Sequence, residues 1–272
     1  MSMHEATIID RIAPSPRFPG GSRTAEDVEF GTRVTAGNGV FPVYQPIYGA
    51  DGKCAAVEAL VRYRTATNRL MGAGEAIEVS RRLGLLRTLG AAAIRRAVQE
   101  FARCKRMAQA PKCLNINLAK EEVLDPSTLD HLMAAVKDAG LEPEDLTVEI
   151  TEDCPQALHA AVAEVATEFR RQGFRIALDD FGSGSNDLML LRTFTPDIVK
   201  LDKFFVRHLT DDDPLIKGIV DTVHAMNVKV VVEGVETLKQ RRILSALNVD
   251  YLQGFLLGKP MPAPATCPPN QW

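Results

Sequence analysis

The stretch LTVEITEDCPQALHAAVAEVATEFRRQGFRIALDD, residues 146–180, decides the fold. It opens with a short apolar and β-branched run, Leu146–Thr151, which reads as a strand. Pro155 to Gln172 follows with helical spacing, because Leu158, Ala161, Val162, Val165 and Phe169 share one face, Pro155 stands early and Gly173 closes the run. A second strand, Arg175–Leu178, comes next. A strand, a helix and a strand in succession imply parallel strands joined by a crossover.

The same unit recurs outward in both directions. Strand-like runs fall at Phe41–Ile47, Ala55–Tyr63, Cys113–Leu118, Ile198–Leu201, Val228–Val232 and Tyr251–Phe255, giving eight in all. Helical runs at Glu122–Ala139, Leu215–Met226 and Thr237–Leu247 fill the gaps. Eight alternating strands over about 220 residues predict an α/β fold, a TIM-type (β/α)8 barrel. One connection breaks the rule. Only residues 48–53, with Asp51-Gly52 among them, separate the first two strands, too few for a crossover and suited to a hairpin, so the first strand is expected to run antiparallel. Residues 1–37, with Pro14, Pro16, Pro19, Gly20 and Gly21, read as an arm or linker carrying one short helix near Thr24 to Phe30. Loss of this arm is expected to leave the melting temperature almost unchanged. The barrel domain spans 38–262, and 263–272 is a Pro-rich tail.

Composition narrows the function. Lys plus Arg number 32 against 35 Asp plus Glu, a net charge of −3, so no general attraction draws the chain to a nucleic-acid polymer or an anionic membrane. No apolar run approaches the roughly 20 residues that span a bilayer. Five cysteines without a Cys-x-x-Cys pair read as reduced thiols of a cytoplasmic protein, and the five histidines lack metal spacing.

The strand ends carry the chemistry. In such a barrel, active groups sit at the carboxyl ends of strands. There the sequence places Glu58, Asn117, Glu149, Glu152, Asp179, Asp180, Lys200, Asp202, Glu233, Glu236 and Gln253. A single strand-end acid is usually a helix cap, but caps need no such regularity from strand to strand. Carboxylates this crowded raise one another's pKa unless a cation neutralises them. Oxygen ligands select a hard divalent ion, Mg²⁺ or Mn²⁺ before Ca²⁺. The pair Asp179-Asp180 suits two ions about 4 Å apart, an arrangement for in-line attack on a phosphodiester, with Lys200 as a point charge beside them. Gly182-Ser-Gly-Ser-Asn-Asp187 reads either as an active-site loop or as a plain tight turn, and no Lys follows as a P-loop requires.

Together these residues resemble the EAL-domain family of cyclic di-GMP phosphodiesterases. Glu58-Ala59-Leu60-Val61-Arg62 looks like its naming signature and Tyr44-Gln45-Pro46-Ile47 its opening motif. Asn115-Ile-Asn117-Leu, Val148-Glu149-Ile-Thr-Glu152, Asp179-Asp180-Phe-Gly-Ser-Gly184, Lys200-Leu-Asp202, Glu233-Gly-Val-Glu236 and Gln253-Gly254-Phe255 follow in the family's order. The resemblance covers about residues 38 to 262 and implies metal-dependent hydrolysis of cyclic di-GMP to linear pGpG. It implies one metal on Glu58, Asn117, Glu149 and Asp179, and a second on Asp179, Asp180 and Glu233, with Glu233 alternatively the general base. Lys200 would position the attacking water, with Glu236 and Asp202 supporting the metal–water network. Gln45, Arg62 and Gln253 would contact the dinucleotide, in a substrate-binding set that also takes in Glu58, Asp179 and Asp202. Glu152 would hold the loop after the fifth strand. The implied cofactor is Mg²⁺ or Mn²⁺, with Ca²⁺ inhibitory, and the implied assembly is a homodimer with a regulatory protein partner. Departures fall outside the ligand set: Ser185-Asn186-Asp187 replaces the usual Tyr-Ser-Ser, Ala119 stands where Ser is usual, and Arg81 where an acid is usual. The competing reading is a receptor of the same fold that binds cyclic di-GMP and signals through a partner. A barrel phosphodiesterase with another substrate is a third, which Gln45, Arg62 and Gln253 argue against.

Overall fold

The structure, a computed structural model, describes residues 24–108, 111–151, 155–182 and 187–262. Its frame is a closed barrel with helices outside, and eight strands form the wall. In chain order these are β1 (Val40–Gly49) and β2 (Cys54–Arg64), then β4 (Cys113–Leu118), β5 (Leu146–Thr151), β6 (Arg175–Phe181), β7 (Ile198–Leu201), β8 (Lys229–Val232) and β9 (Tyr251–Gln253). A two-residue strand, β3 (Leu70–Met71), is added to the side of β2. From β2 through β9 the wall strands pair in parallel. β1 closes the ring antiparallel to both β2 and β9, as the short Asp-Gly connection requires.

Alternation along each strand sorts the side chains. Outward residues such as Leu114, Ile116, Val148, Ile150, Ile176, Leu178, Val230 and Val232 build the main core with the helices. Inward residues at the amino end, Ile47, Ala56, Cys113 and Val231, form an apolar plug. The polar residues therefore stand above a dry floor.

The helices are α1 (Ala25–Thr35), α2 (Ala73–Leu83), α3 (Leu86–Arg106), α4 (Lys120–Val123), α5 (Ser127–Ala139), α6 (His159–Arg171), α7 (Asp187–Thr193), α8 (Phe204–Arg207), α9 (Pro214–Ala225) and α10 (Leu238–Ala246). The run expected over Glu122–Ala139 is two helices, because Pro126 precedes Ser127 and leaves the preceding residue unsuited to helix.

Two expectations are corrected. α1 is the short helix expected near Thr24 to Phe30, but it runs on to Thr35 and does not stand off as an arm: Thr24 and Asp27 form its capping box, and Phe30 and Val34 are buried in a satellite core with Val40, Tyr63, Met71, Ala76 and Leu89. Residues 25–35 thus pack on the barrel. The signal was faint in sequence, since only these two apolar anchors lie on the inner face. Cys54 is disulfide-bonded, whereas Cys104 and Cys113 are free, so the reading of five reduced thiols fails at Cys54. Spacing along the chain does not report which thiols meet in space.

Candidate active site

The carboxyl ends of the strands open into a cavity of about 630 Å³ lined by Gln45, Glu58, Asn117, Asp179, Asp180, Glu233, Glu236, Gln253 and Phe255, among others. Beneath it lie Glu149 and Lys200, neither exposed at all. The centre is the Lys200 ammonium. Its Nζ lies 2.8 Å from Glu149 Oε2, 2.8 Å from Glu233 Oε1, 2.9 Å from Asp179 Oδ1 and 3.4 Å from Glu58 Oε2. Burial alone would push this ammonium down, but the charges of Asp179, Glu149, Glu233 and Glu58 outweigh it and hold its pKa well above the ordinary value.

Amides fix the carboxylates. Asn117 Nδ2 donates to Glu58 Oε1 at 2.8 Å, and Gln253 Nε2 donates to Glu58 Oε2 at 2.7 Å. Burial would raise the Glu58 pKa, yet Lys200 and these two donors bring it below its usual value. Glu149 goes the other way: burial and the Glu58 charge raise it well above normal. Burial lifts Glu233 to about 7 and, with the Asp179 charge, Asp180 to about 6. Five carboxylates around one ammonium leave a formal charge of −4 when all are ionised, and the raised values express that excess.

β6 explains how adjacent acids share the cup. Neighbours in a regular strand point to opposite faces. Here the β6–β7 register shifts between Leu178 and Phe181, and Asp180 adopts φ 57°, a left-handed conformation uncommon for a non-glycine residue. The bulge turns Asp179 and Asp180 to one side. As a result, oxygens of Asp179, Asp180 and Glu233 lie within 4.8 Å of one another, as do those of Glu58, Glu149 and Asp179. Asp179 belongs to both groups.

Other expected residues are placed differently. Gln45 sits opposite Glu58 in the β1–β2 pairing, and its Nε2 donates to the Gly258 carbonyl at 3.2 Å. Arg62 folds back, donating to the Val61 carbonyl at 2.8 Å. The Asp202 carboxylate accepts from the Phe204 N–H at 2.7 Å at the start of α8, and Glu236 is exposed at the rim. Glu152, Ser185 and Asn186 lie outside the described residues, as does Gly182-Ser-Gly-Ser-Asn-Asp187 beyond its first residue and the backbone of its last. Sequence reading gave no role to Asn115, whose amide reaches Glu149. The available signal was its position two residues before Asn117, which puts both on one strand face. Gly254 is required by close approach, since a Cβ there would lie 2.1 Å from the Val235 carbonyl oxygen.

A family model for the EAL domain matches residues 32–260, and the chain belongs to that family. It is 30% identical over 224 residues to the bifunctional diguanylate cyclase/cyclic di-GMP phosphodiesterase MucR of Pseudomonas aeruginosa, covering 81% of this chain and 33% of the relative. It is 31% identical to the cyclic di-GMP phosphodiesterase PdeR of Escherichia coli, covering 82% of this chain and 34% of that protein. The chain therefore spans about a third of the length of these relatives. Among solved structures, the MucR phosphodiesterase in complex with c-di-GMP matches with a TM-score of 0.79 at 28% identity, over 87% of this chain and 98% of that one. A calcium/cyclic di-GMP complex of Klebsiella pneumoniae BlrP1 matches with a TM-score of 0.73 at 26% identity, over 83% of this chain and 56% of that one. No helix among the described residues is long and apolar enough to cross a membrane.

Proposed function

We propose that the chain hydrolyses cyclic di-GMP to linear pGpG with two divalent cations, Mg²⁺ or Mn²⁺, as a bacterial signalling phosphodiesterase of the cytoplasm. The observation that carries this reading is the pair of carboxylate groups joined at Asp179. The residues fit the cations: every donor is a hard oxygen, the uncompensated charge matches two divalent ions, and the Lys200 ammonium already lies among the same oxygens. Glu58, Asn117, Glu149 and Asp179 would hold one ion, and Asp179, Asp180 and Glu233 the other. When bound, such ions polarise phosphoryl oxygens and lower the pKa of water.

The chain supplies the rest. Lys200 keeps four carboxylates convergent and sets a fixed positive charge beside the reacting phosphate. Asn117 and Gln253 fix both oxygens of Glu58, so that carboxylate is preorganised. Alternatively to holding the second ion, Glu233 would act as general base and accept the proton of the attacking water. Hydrolysis breaks one phosphodiester P–O bond, adds the water oxygen to phosphorus and returns a proton to the departing ribose oxygen. Gln45, Gln253 and Phe255 line the cup where the dinucleotide would lie, and Arg62 would swing from the Val61 carbonyl to a phosphate or guanine edge. Exposed Met189 on α7 and Phe204 on α8 offer apolar surface for pairing of two copies.

The test is incubation of purified protein with cyclic di-GMP, with and without Mg²⁺ or Mn²⁺, followed by chromatographic separation. Metal-dependent pGpG that is absent in Glu58→Ala is the expected result. Intact cyclic di-GMP despite measurable binding would replace the enzyme with a receptor.

A further inference from the structure

Asn115 is a buried amide that neither the apolar plug nor the cavity lining uses. It is 2% exposed on β4, in register with Glu58 on one side and Thr147 on the other. Its Nδ2 donates to Glu149 Oε1 at 2.8 Å, while Glu149 Oε2 accepts from Lys200 Nζ at 2.8 Å. Both carboxylate oxygens are therefore fixed from opposite sides. The Asn115 Oδ1 atom, by contrast, has no hydrogen-bond partner among the described residues. A buried acceptor left alone is a standing cost, and an apolar side chain of similar size would remove it only by leaving Glu149 Oε1 without its donor. The reverse orientation of the amide would set Oδ1 against the Glu149 carboxylate, so the donor is what the position needs.

We propose that Asn115 is a positioning residue for the cation centre: it pins Glu149 Oε1 so that Glu149 meets the centre only through the oxygen now facing Lys200. This rests on the two-cation reading above. Without Asn115 the Glu149 carboxylate is free to rotate about its terminal bond, and its oxygens compete for Lys200. Partners that orient ligands in this way commonly contribute 10–100-fold in metal affinity.

The experiment is calorimetric titration of Mn²⁺ into the nucleotide-free chain, comparing wild type with Asn115→Leu and Asn115→Ser, together with thermal melting in EDTA. Asn115→Leu exchanges an unpaired Asn115 Oδ1 for an unpaired Glu149 Oε1, so it is expected to melt in EDTA close to the wild-type temperature yet bind Mn²⁺ roughly 10–100-fold more weakly. Asn115→Ser, too short to reach Glu149, is expected to show the same weakening and serves if the leucine variant does not fold. A double-mutant comparison separates positioning from structure: in a Glu149→Gln background, removing Asn115 should cause little further loss. Unchanged Mn²⁺ affinity in a folded variant, or a full additional loss in that background, would overturn the proposal. Wild type that binds Mn²⁺ without hydrolysing cyclic di-GMP would overturn the enzymatic reading and leave this one standing. Wild type that binds no Mn²⁺ would overturn both.

Discussion

Asp180 shows how much chemistry one backbone conformation carries. Its φ of 57° puts its carboxylate beside that of Asp179, where alternation would have sent it outward. Asparagine tolerates the left-handed region better than most residues, so Asp180→Asn should fold normally. The charge is lost, and turnover of cyclic di-GMP should fall roughly 100-fold or more while nucleotide binding changes far less. Parallel measurement of initial rates and of cyclic di-GMP affinity checks this, and equal losses in both would contradict the assignment to a cation group. The conformation of Asp180 was not legible in sequence. The Asp-Asp pair was visible, but the bulge that makes it useful comes from pairing with β7.

Two elements outside the barrel wall affect stability in ways the strands do not. Phe30 on α1 packs against Tyr63 with ring centroids 4.5 Å apart, inside the satellite core. Phe30→Ala should cost about 3 kcal/mol, read as a lower denaturant midpoint at unchanged slope. α4 introduces a pH dependence. Glu122, buried against Gly90 of α3, accepts from the Ala119 N–H at 3.0 Å, and burial lifts its pKa from 4.5 to about 7. The folded chain therefore retains a proton that the unfolded chain releases between those values. Stability from this group is intact below about pH 4.5, declines as pH rises and is fully lost above about 7, a change on the order of 3 kcal/mol. Glu122→Gln should remove that slope, so that its advantage in melting temperature over wild type grows from pH 5 to pH 8. A constant difference across the range would show that Glu122 titrates normally.

The molecule as a whole gathers acids from four strands, β2, β5, β6 and the end of β8, around one lysine, an arrangement whose excess negative charge costs folding energy. Mn²⁺ at 100 times its dissociation constant should therefore stabilise the chain by about 2.7 kcal/mol, seen as a rise in melting temperature that Asp179→Ala abolishes. The parallel wall, the antiparallel first strand and the inventory of strand-end acids were fixed by the sequence itself, because hydrophobic period, helix caps and loop length are local properties. The Asp-Gly connection between β1 and β2 is too short for a crossover in any tertiary context. The tertiary structure alone decided which side chains converge. It set Lys200 within reach of four carboxylates, recruited Asn115 to Glu149, turned Asp202 to the Phe204 N–H and gave Phe30 and Val34 a core to enter. These outcomes depend on register between strands distant in sequence and on burial, and neither quantity exists until the barrel closes.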